Sequence, residues 1–183
     1  MEDRTALDWF ALLSTSGTRN KAFSEAVGLY QERIYWHIRR IVVTHDNAND
    51  VMQNTFLKAW KHIDHFRGES KFSTWLFRIA TNESIDYLNR IKKEGQYLVG
   101  DDASYLQDAL LADPYFDGDA LQQEFQKAIL LLPEKQRLVF NMRYFDEMKY
   151  DDISAVLGVS VGALKASYHI AQKKIQAYFQ AKD

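Results

Sequence analysis

The stretch from Tyr150 to Phe179, YDDISAVLGVSVGALKASYHIAQKKIQAYF, constrains the chain most, because it reads as two helices joined by a very short turn. Ile153, Val156 and Leu157 give the first helix one apolar side, and Gly158 supplies the positive φ that ends it. Ser160 is placed to cap the helix that follows. A helix-turn-helix is expected. In its second helix Val161, Leu164, Tyr168, Ala171, Ile175 and Tyr178 recur at steps of three and four, which puts them on one core-facing stripe. The opposite side carries Gly162, Lys165, Ala166, His169 and Lys173. Small residues permit close approach and lysines reach phosphates, so this side suits the major groove of DNA. A helical hairpin with an incidental basic face is the competing reading of the same residues.

The same helical period runs through most of the chain, with two prolines in 183 residues and little alternation, so the class is all-α. A hydrophobic content of 46% argues for packed cores, and the length suits two compact helical units. No apolar run is long enough to span a bilayer, and the opening MEDRTALDWF has no leader pattern, so a cytoplasmic protein without membrane insertion is expected. There is no cysteine, which removes disulfides and thiolate metal sites.

A net charge of −2 looks unfavourable for nucleic acid until it is divided along the chain. Residues 1–94 carry 14 basic against 12 acidic side chains, and residues 120–183 carry 9 against 7. Between them, residues 95–119 hold six aspartates and no Lys or Arg. Two mildly basic domains, 1–94 and 120–183, joined by a flexible acidic linker at 95–119, follow from this partition. The linker lacks a persistent amphipathic pattern, and only a transient turn around Tyr105 to Leu111 is expected in it.

In the first block a short helix at about Thr5 to Leu13 precedes a long one at about Asn20 to Val43, with Phe23, Val27, Tyr30, Ile34, Ile38 and Ile41 inward. Arg33, Arg39 and Arg40 lie off that stripe and are expected in solvent. A helix at about Asn47 to Ile63 turns Met52, Phe56, Ala59, Trp60 and Ile63 inward and shows Asp50, Gln53, Asn54 and Lys58 outward. Those polar residues suit either a solvated face or an edge that a basic partner helix reads. After the turn HFRGES, with Ser70 placed to cap, comes KFSTWLFRIATNESIDYLNRIKK. Its Phe72, Trp75 and Phe77 suit a core, but beside Arg67, Lys71 and Arg78 they also describe a platform for unstacked bases. Asn82 adds an amide that both donates and accepts. In the second block a helix through Leu121, Phe125, Ala128 and Leu132 meets Pro133, which opens the helix carrying Arg137 to Tyr144.

The order NDVMQNTF, FRGESKFSTWLFRIATNESIDYLNR and LPEKQRLVFNMRYFDEMKYDDISAVLGVSVGALKASYHIAQKKI resembles the extracytoplasmic-function group of the sigma-70 family, the bacterial sigma factors that keep only regions two and four. The resemblance covers most of residues 20–94 and 120–180. It implies that Asp50, Gln53, Asn54 and Phe56 dock on the clamp coiled coil of core RNA polymerase. It implies that Phe66, Arg67, Ser70, Lys71, Trp75, Arg78 and Asn82 bind the minus-10 promoter element, with Phe66 stacking on a base flipped out of the duplex and Asn82 hydrogen-bonding it. Ser160, Gly162, Lys165, Ala166, Ser167, His169 and Lys173 would then face minus-35 DNA. Asn54 stands where many relatives carry Glu, and Ser167 and Ile170 where basic residues are frequent. An anti-sigma factor is an expected partner, and no cofactor or metal is expected.

A stand-alone helix-turn-helix regulator is the alternative, but it leaves the aromatic-basic helix and the linker without a role. For an enzyme the chain offers only His62-x-x-His65 with Asp64, a weak metal spacing without a third ligand, and no phosphate loop or nucleophile motif.

Overall fold

The computed structural model describes residues 4–95 and 102–182, and within them every regular element is helical. The elements are α1 (Ala6–Ser14), α2 (Ser16–Val42), α3 (His45–Lys61), a 3₁₀ turn (Ile63–His65), α4 (Phe72–Lys93), α5 (Asp102–Ala112), α6 (Ala120–Leu130), α7 (Glu134–Tyr144), α8 (Tyr150–Leu157) and α9 (Val161–Gln180). Caps explain where several of them begin. Thr5 and Asp8 form a capping box, Thr44 accepts from Asn47 N–H, and Asp119 pairs reciprocally with Gln122. Ser70 does not cap α4; its hydroxyl turns to the carbonyl of Lys71, and the helix starts without a side-chain cap. The polar cluster Ser14 to Gly17 does not hold the long helix back to Asn20, since α2 already starts at Ser16.

The 27 residues of α2 make it about 40 Å long, and it packs against α1, α3, α4 and α7. Ile34 and Ile38 are fully buried along it. One apolar cluster extends from Trp9, through Ile34, Leu76 and Phe77, to Met148, Ile153, Val156 and Leu164, so it joins the first block to the second. A second cluster, with Ile129, Leu132, Phe140, Ala171 and Ile175, holds α6, α7 and α9 together. At the rim of that cluster Glu124 accepts from Tyr178 Oη at 2.8 Å and is also paired with Lys182 and Lys127, which holds its carboxyl down at about 2.

The segment expected as a transient turn is a helix that packs against its neighbours. In α5 Leu106 and Leu110 are buried in the main cluster, a spacing of four that uses only one narrow stripe and so escapes a periodicity argument. The part of the linker at residues 96–101 lies outside the described residues. Just after α5, Asp113 is buried against Arg39 and accepts from the His45 backbone N–H at 3.0 Å. Tyr115 stacks on the His45 ring at 4.0 Å.

Arg39 and Arg40 are therefore not in solvent as expected, because the rest of the chain lands on the end of α2. Asp146, in the turn between α7 and α8, accepts from His37 Nδ1 at 2.7 Å and from Arg40 Nη1 at 2.9 Å. The other ring nitrogen of His37 meets the Thr81 hydroxyl of α4 at 2.8 Å. Burial pulls the Arg40 guanidinium below its usual value, against the opposing pull of Asp146. In such a site desolvation roughly cancels attraction, so the ion pairs fix register while Met148, Ile153 and Val156 supply adhesion. Breaking one side is different. Asp146→Ala leaves the fully buried His37 and its neighbour Arg40 without their carboxylate, and is expected to cost about 3 kcal/mol. Urea unfolding followed by tryptophan fluorescence checks this; a midpoint equal to the parent's would show that the pair contributes nothing.

Candidate polymerase and nucleic-acid interfaces

The stripe expected to face inward on α3 does so only in part: Ala59 and, just past the helix, Ile63 are buried as expected, and the rest is shifted. Ala48, Val51, Thr55 and Ala59 are buried, while Met52 and Phe56 are half-buried and Trp60 is exposed. α2, α3 and α4 pack closely, and close packing selects small side chains on the contacting stripe. The larger ones are displaced by about one position and line a groove of about 740 Å³ with Phe23 and Val27 of α2. Phe23 and Trp60 meet at 5.0 Å across it. Gln53 lines the groove and is exposed, Asp50 is exposed outside its lining, Asn54 faces a separate cleft with Glu83, Asp86 and Arg90 of α4, and Leu57, which the periodicity argument left out, is 58% exposed at the groove's edge. Lys58 is tied to Glu83 of α4, a hydrogen bond that raises its ammonium above the usual lysine range.

Trp75, Arg78 and Asn82, spaced by three and four residues, share one face of α4, and Lys71 stands one residue before the helix begins. Lys71, Arg78 and Asn82 are exposed and Trp75 is half-buried. Arg67 is exposed in the preceding turn and Ser70 half-buried. Phe66 is placed differently from a stacking platform: it is 3% exposed, 5.1 Å from the Phe72 ring and 5.6 Å from Trp75. Phe72 and Phe77 are likewise core. The aromatic surface available to a base here is Trp75, with Phe66 forming its floor. The neighbouring face of α4 is taken by α8, whose Asp152 reaches Lys71 Nζ at 3.1 Å and the Thr74 hydroxyl at 3.3 Å.

α8 and α9 meet at 102°, inside the range of a helix-turn-helix, with Gly158 at φ +67° closing the first helix and Ser160 accepting from Ala163 N–H at 3.3 Å. Leu164, Ala171 and Ile175 are buried, and Tyr168 stacks on Phe140 at 5.7 Å. Gly162, Lys165, Ala166, His169 and Lys173 are all exposed, with Ser160 at the start of the same helix; Ser167 is half-buried at the edge and Ile170 is 43% exposed. Lys165 lies 5.8 Å from the Tyr150 ring centre, which keeps its stem over α8. The His62 and His65 rings are 5.3 Å apart, and Asp64 is paired with Arg19. Among the described residues no three His, Asp or Glu side chains converge on a metal position. Nor is any single described helix long and apolar enough to cross a membrane.

Two family descriptions match: Sigma-70 region 2 over residues 26–94 and Sigma-70, region 4 over residues 122–175. The ECF RNA polymerase sigma factor SigW of Bacillus subtilis is 34% identical over 164 residues, covering 85% of this chain and 87% of that protein. The chain belongs to the extracytoplasmic-function group of the sigma-70 family. The ECF RNA polymerase sigma-E factor of Escherichia coli K12 is 31% identical over 170 residues, covering 85% of each. The fold is that of the sigma factor RpoE in complex with the anti-sigma factor NepR from Bartonella quintana, with a TM-score of 0.71, 24% identity, and 89% of this chain and 99% of that one covered. It is also that of CnrH in complex with the cytosolic domain of CnrY, with a TM-score of 0.68, 22% identity, and 97% and 96% covered. This sigma factor is a promoter-recognising transcription initiation factor, and its family works through RNA polymerase rather than through catalysis of its own. The stand-alone regulator is not favoured.

The exposed lysines of α9 give a direct test of its outward face. Lys165→Ala and Lys173→Ala are each expected to weaken DNA binding uniformly across sequences and to reduce the salt slope by about one, as when one phosphate is no longer neutralised. Fluorescence anisotropy over a salt series measures it, and parental slopes in both variants would take α9 off the DNA.

Proposed function

We propose that residues 1–94 dock on polymerase and read the minus-10 element, that residues 120–183 read the minus-35 element, and that 95–119 is the tether between them. The docking face is the groove of α2 and α3 with Gln53 and Phe56, continued over the exposed side of α3 to Asp50 and Asn54, and its occupant is the clamp coiled coil of core polymerase. In favour of this is a groove lined with Met52, Phe56 and Trp60 that no part of the described chain fills, rimmed by polar side chains. Gln53→Ala combined with Phe56→Ala is expected to weaken association with core polymerase by about 1 to 3 kcal/mol, since a centrally placed aromatic carries much of an interface. Affinity measured by surface capture, beside a melt of the variant, checks this; a folded double variant with parental affinity removes the docking face.

The observation that carries the minus-10 assignment is the single exposed face of Lys71, Trp75, Arg78 and Asn82, flanked by Arg67 and Ser70. Two cations for phosphates, one ring for stacking and one amide for a base edge make a single-strand site. Phe66 serves it from beneath. Ser160, Gly162, Lys165, Ala166, Ser167, His169 and Lys173 serve the minus-35 element. The names of the two elements place them 25 base pairs apart, about 85 Å at 3.4 Å per pair. A compact chain of this length has a radius of gyration of only about 16 Å. Reading both elements therefore requires α8 to leave α4 and Asp152 to release Lys71. A protein inhibitor of the anti-sigma kind is the further partner, supported by the two solved relatives, one held by the anti-sigma factor NepR and the other by the cytosolic domain of CnrY. The place of action is the cytosol, with the polymerase.

Asn82 decides the reading. Asn82→Ala is expected to leave duplex minus-35 binding unchanged and to impair open-complex formation by about 1 to 3 kcal/mol, typical of one base contact. Transcription with core polymerase on templates varied at each minus-10 position measures it. A folded variant with parental activity and base preference at every position would sink the base contact.

A further inference from the structure

The turn that bears Arg67 and Ser70 does not stand alone; it is seated on α1. Gly68 turns with φ +71°, and a Cβ there would lie 3.1 Å from the Cβ of Phe10 and 3.3 Å from the Ala6 carbonyl oxygen. That leaves no room for the turn to move towards α1 and none for a side chain. Just before it, Asp64 accepts from Arg19 Nη2 at 2.7 Å, while Arg19 Nε donates to the Leu13 carbonyl at the end of α1, also at 2.7 Å. The same guanidinium thus ties the end of α1 to the 3₁₀ turn.

A second connection runs through aromatic rings. Trp9 is 1% exposed and stacks on Phe72, the first residue of α4, at 5.2 Å and 25°. Phe72 lies 5.1 Å from Phe66 and 5.6 Å from Trp75, so four rings form a continuous column from α1 to the surface ring. Packed rings pass displacement on because the interior has little free volume. α1 lies wholly before residue 26, where the region 2 match begins, and none of its residues is a candidate DNA contact.

We propose that α1 is a positioning element of the minus-10 reader: Trp9, through Phe72, sets the ring of Trp75, and Phe10 seats the turn at Gly68, so base preference depends on residues that touch no DNA. This rests on the assignment of the α4 face to minus-10 DNA made above. It adds that the selectivity of that face, and not only its stability, is held from α1.

The test uses the full chain with core polymerase and fluorescent single-stranded oligonucleotides varied at each minus-10 position. Trp9→Leu removes the stacked ring, and Phe10→Ala removes the seat of the turn. Trp9→Phe keeps a six-membered ring on Phe72 and removes the pyrrole part of the indole, whose N–H is buried without a hydrogen-bond partner among the described residues. Ile91→Ala, in the core at the far end of α4, is the control for general destabilisation. Trp9→Leu and Phe10→Ala are expected to reduce the affinity ratio between preferred and other bases by about fivefold or more, the effect of a base contact held out of place. Trp9→Phe and Ile91→Ala are expected to keep the parental ratio. The inference is overturned by folded Trp9→Leu or Phe10→Ala with the parental ratio, or by an Ile91→Ala chain that loses selectivity equally. If Trp9→Leu does not fold, the half-buried Phe10→Ala decides. A parent chain with no base preference would instead overturn the minus-10 assignment, and this inference with it.

Discussion

The end of α2 is where the structure is tied. Three polar side chains, His37, Arg39 and Arg40, leave the last two turns of a helix whose middle is wholly apolar on its inward side, and each is met by a carboxylate from far along the chain. Asp113 takes Arg39 and completes the start of α3, while Asp146 takes His37 and Arg40 and sets the angle at which α7 hands over to α8. Val43 closes this helix at φ +75°, an unfavourable region for a β-branched residue, and its burial, with only 4% of its surface exposed, offsets the strain. The two carboxylates therefore join the end of α2 to the segment after α5 and to the turn before α8. Because desolvation takes back most of what the charges gain, the ion pairs make the seam specific rather than strong, in keeping with the proposed separation of the two modules.

The electrostatics follow the same logic. The six aspartates of residues 95–119 suggest a tether that avoids phosphates, yet Asp113 lies buried in an ion pair and so is not part of that field in the closed chain. Asp152 does for Lys71 what a phosphate would do: it places an anion beside an exposed ammonium and the Thr74 hydroxyl. In this arrangement Lys71 and Arg40 of the first block are met by acids of the second. If the modules part as proposed, those same groups face outward and need another anion.

Most of the fold was legible because helical period and capping act locally. Gly158 and Ser160 end and start helices through their own backbone preferences, so the helix-turn-helix and its outward face from Gly162 to Lys173 could be read residue by residue. The candidate DNA face on α4 was legible for the same reason, since its residues lie at fixed angles on one helix. What periodicity left ambiguous was α3, where two adjacent stripes both look apolar. Only the approach of α2 and α4 chooses the small stripe, Ala48 to Ala59, for the core and leaves Met52, Phe56 and Trp60 to line a groove.

The amino-acid sequence by itself determined the helices outside the linker, their order, the family, and which residues stand on the outward sides of α4 and α9, because each of these depends on spacing within one segment. Tertiary structure alone decided the burial of Phe66, the helix in the linker, the pairing of Arg39 and Arg40, and the seat of the Gly68 turn on α1. Each of those depends on a partner distant in the chain, and nothing in the local pattern of a residue records which distant side chain will cover it.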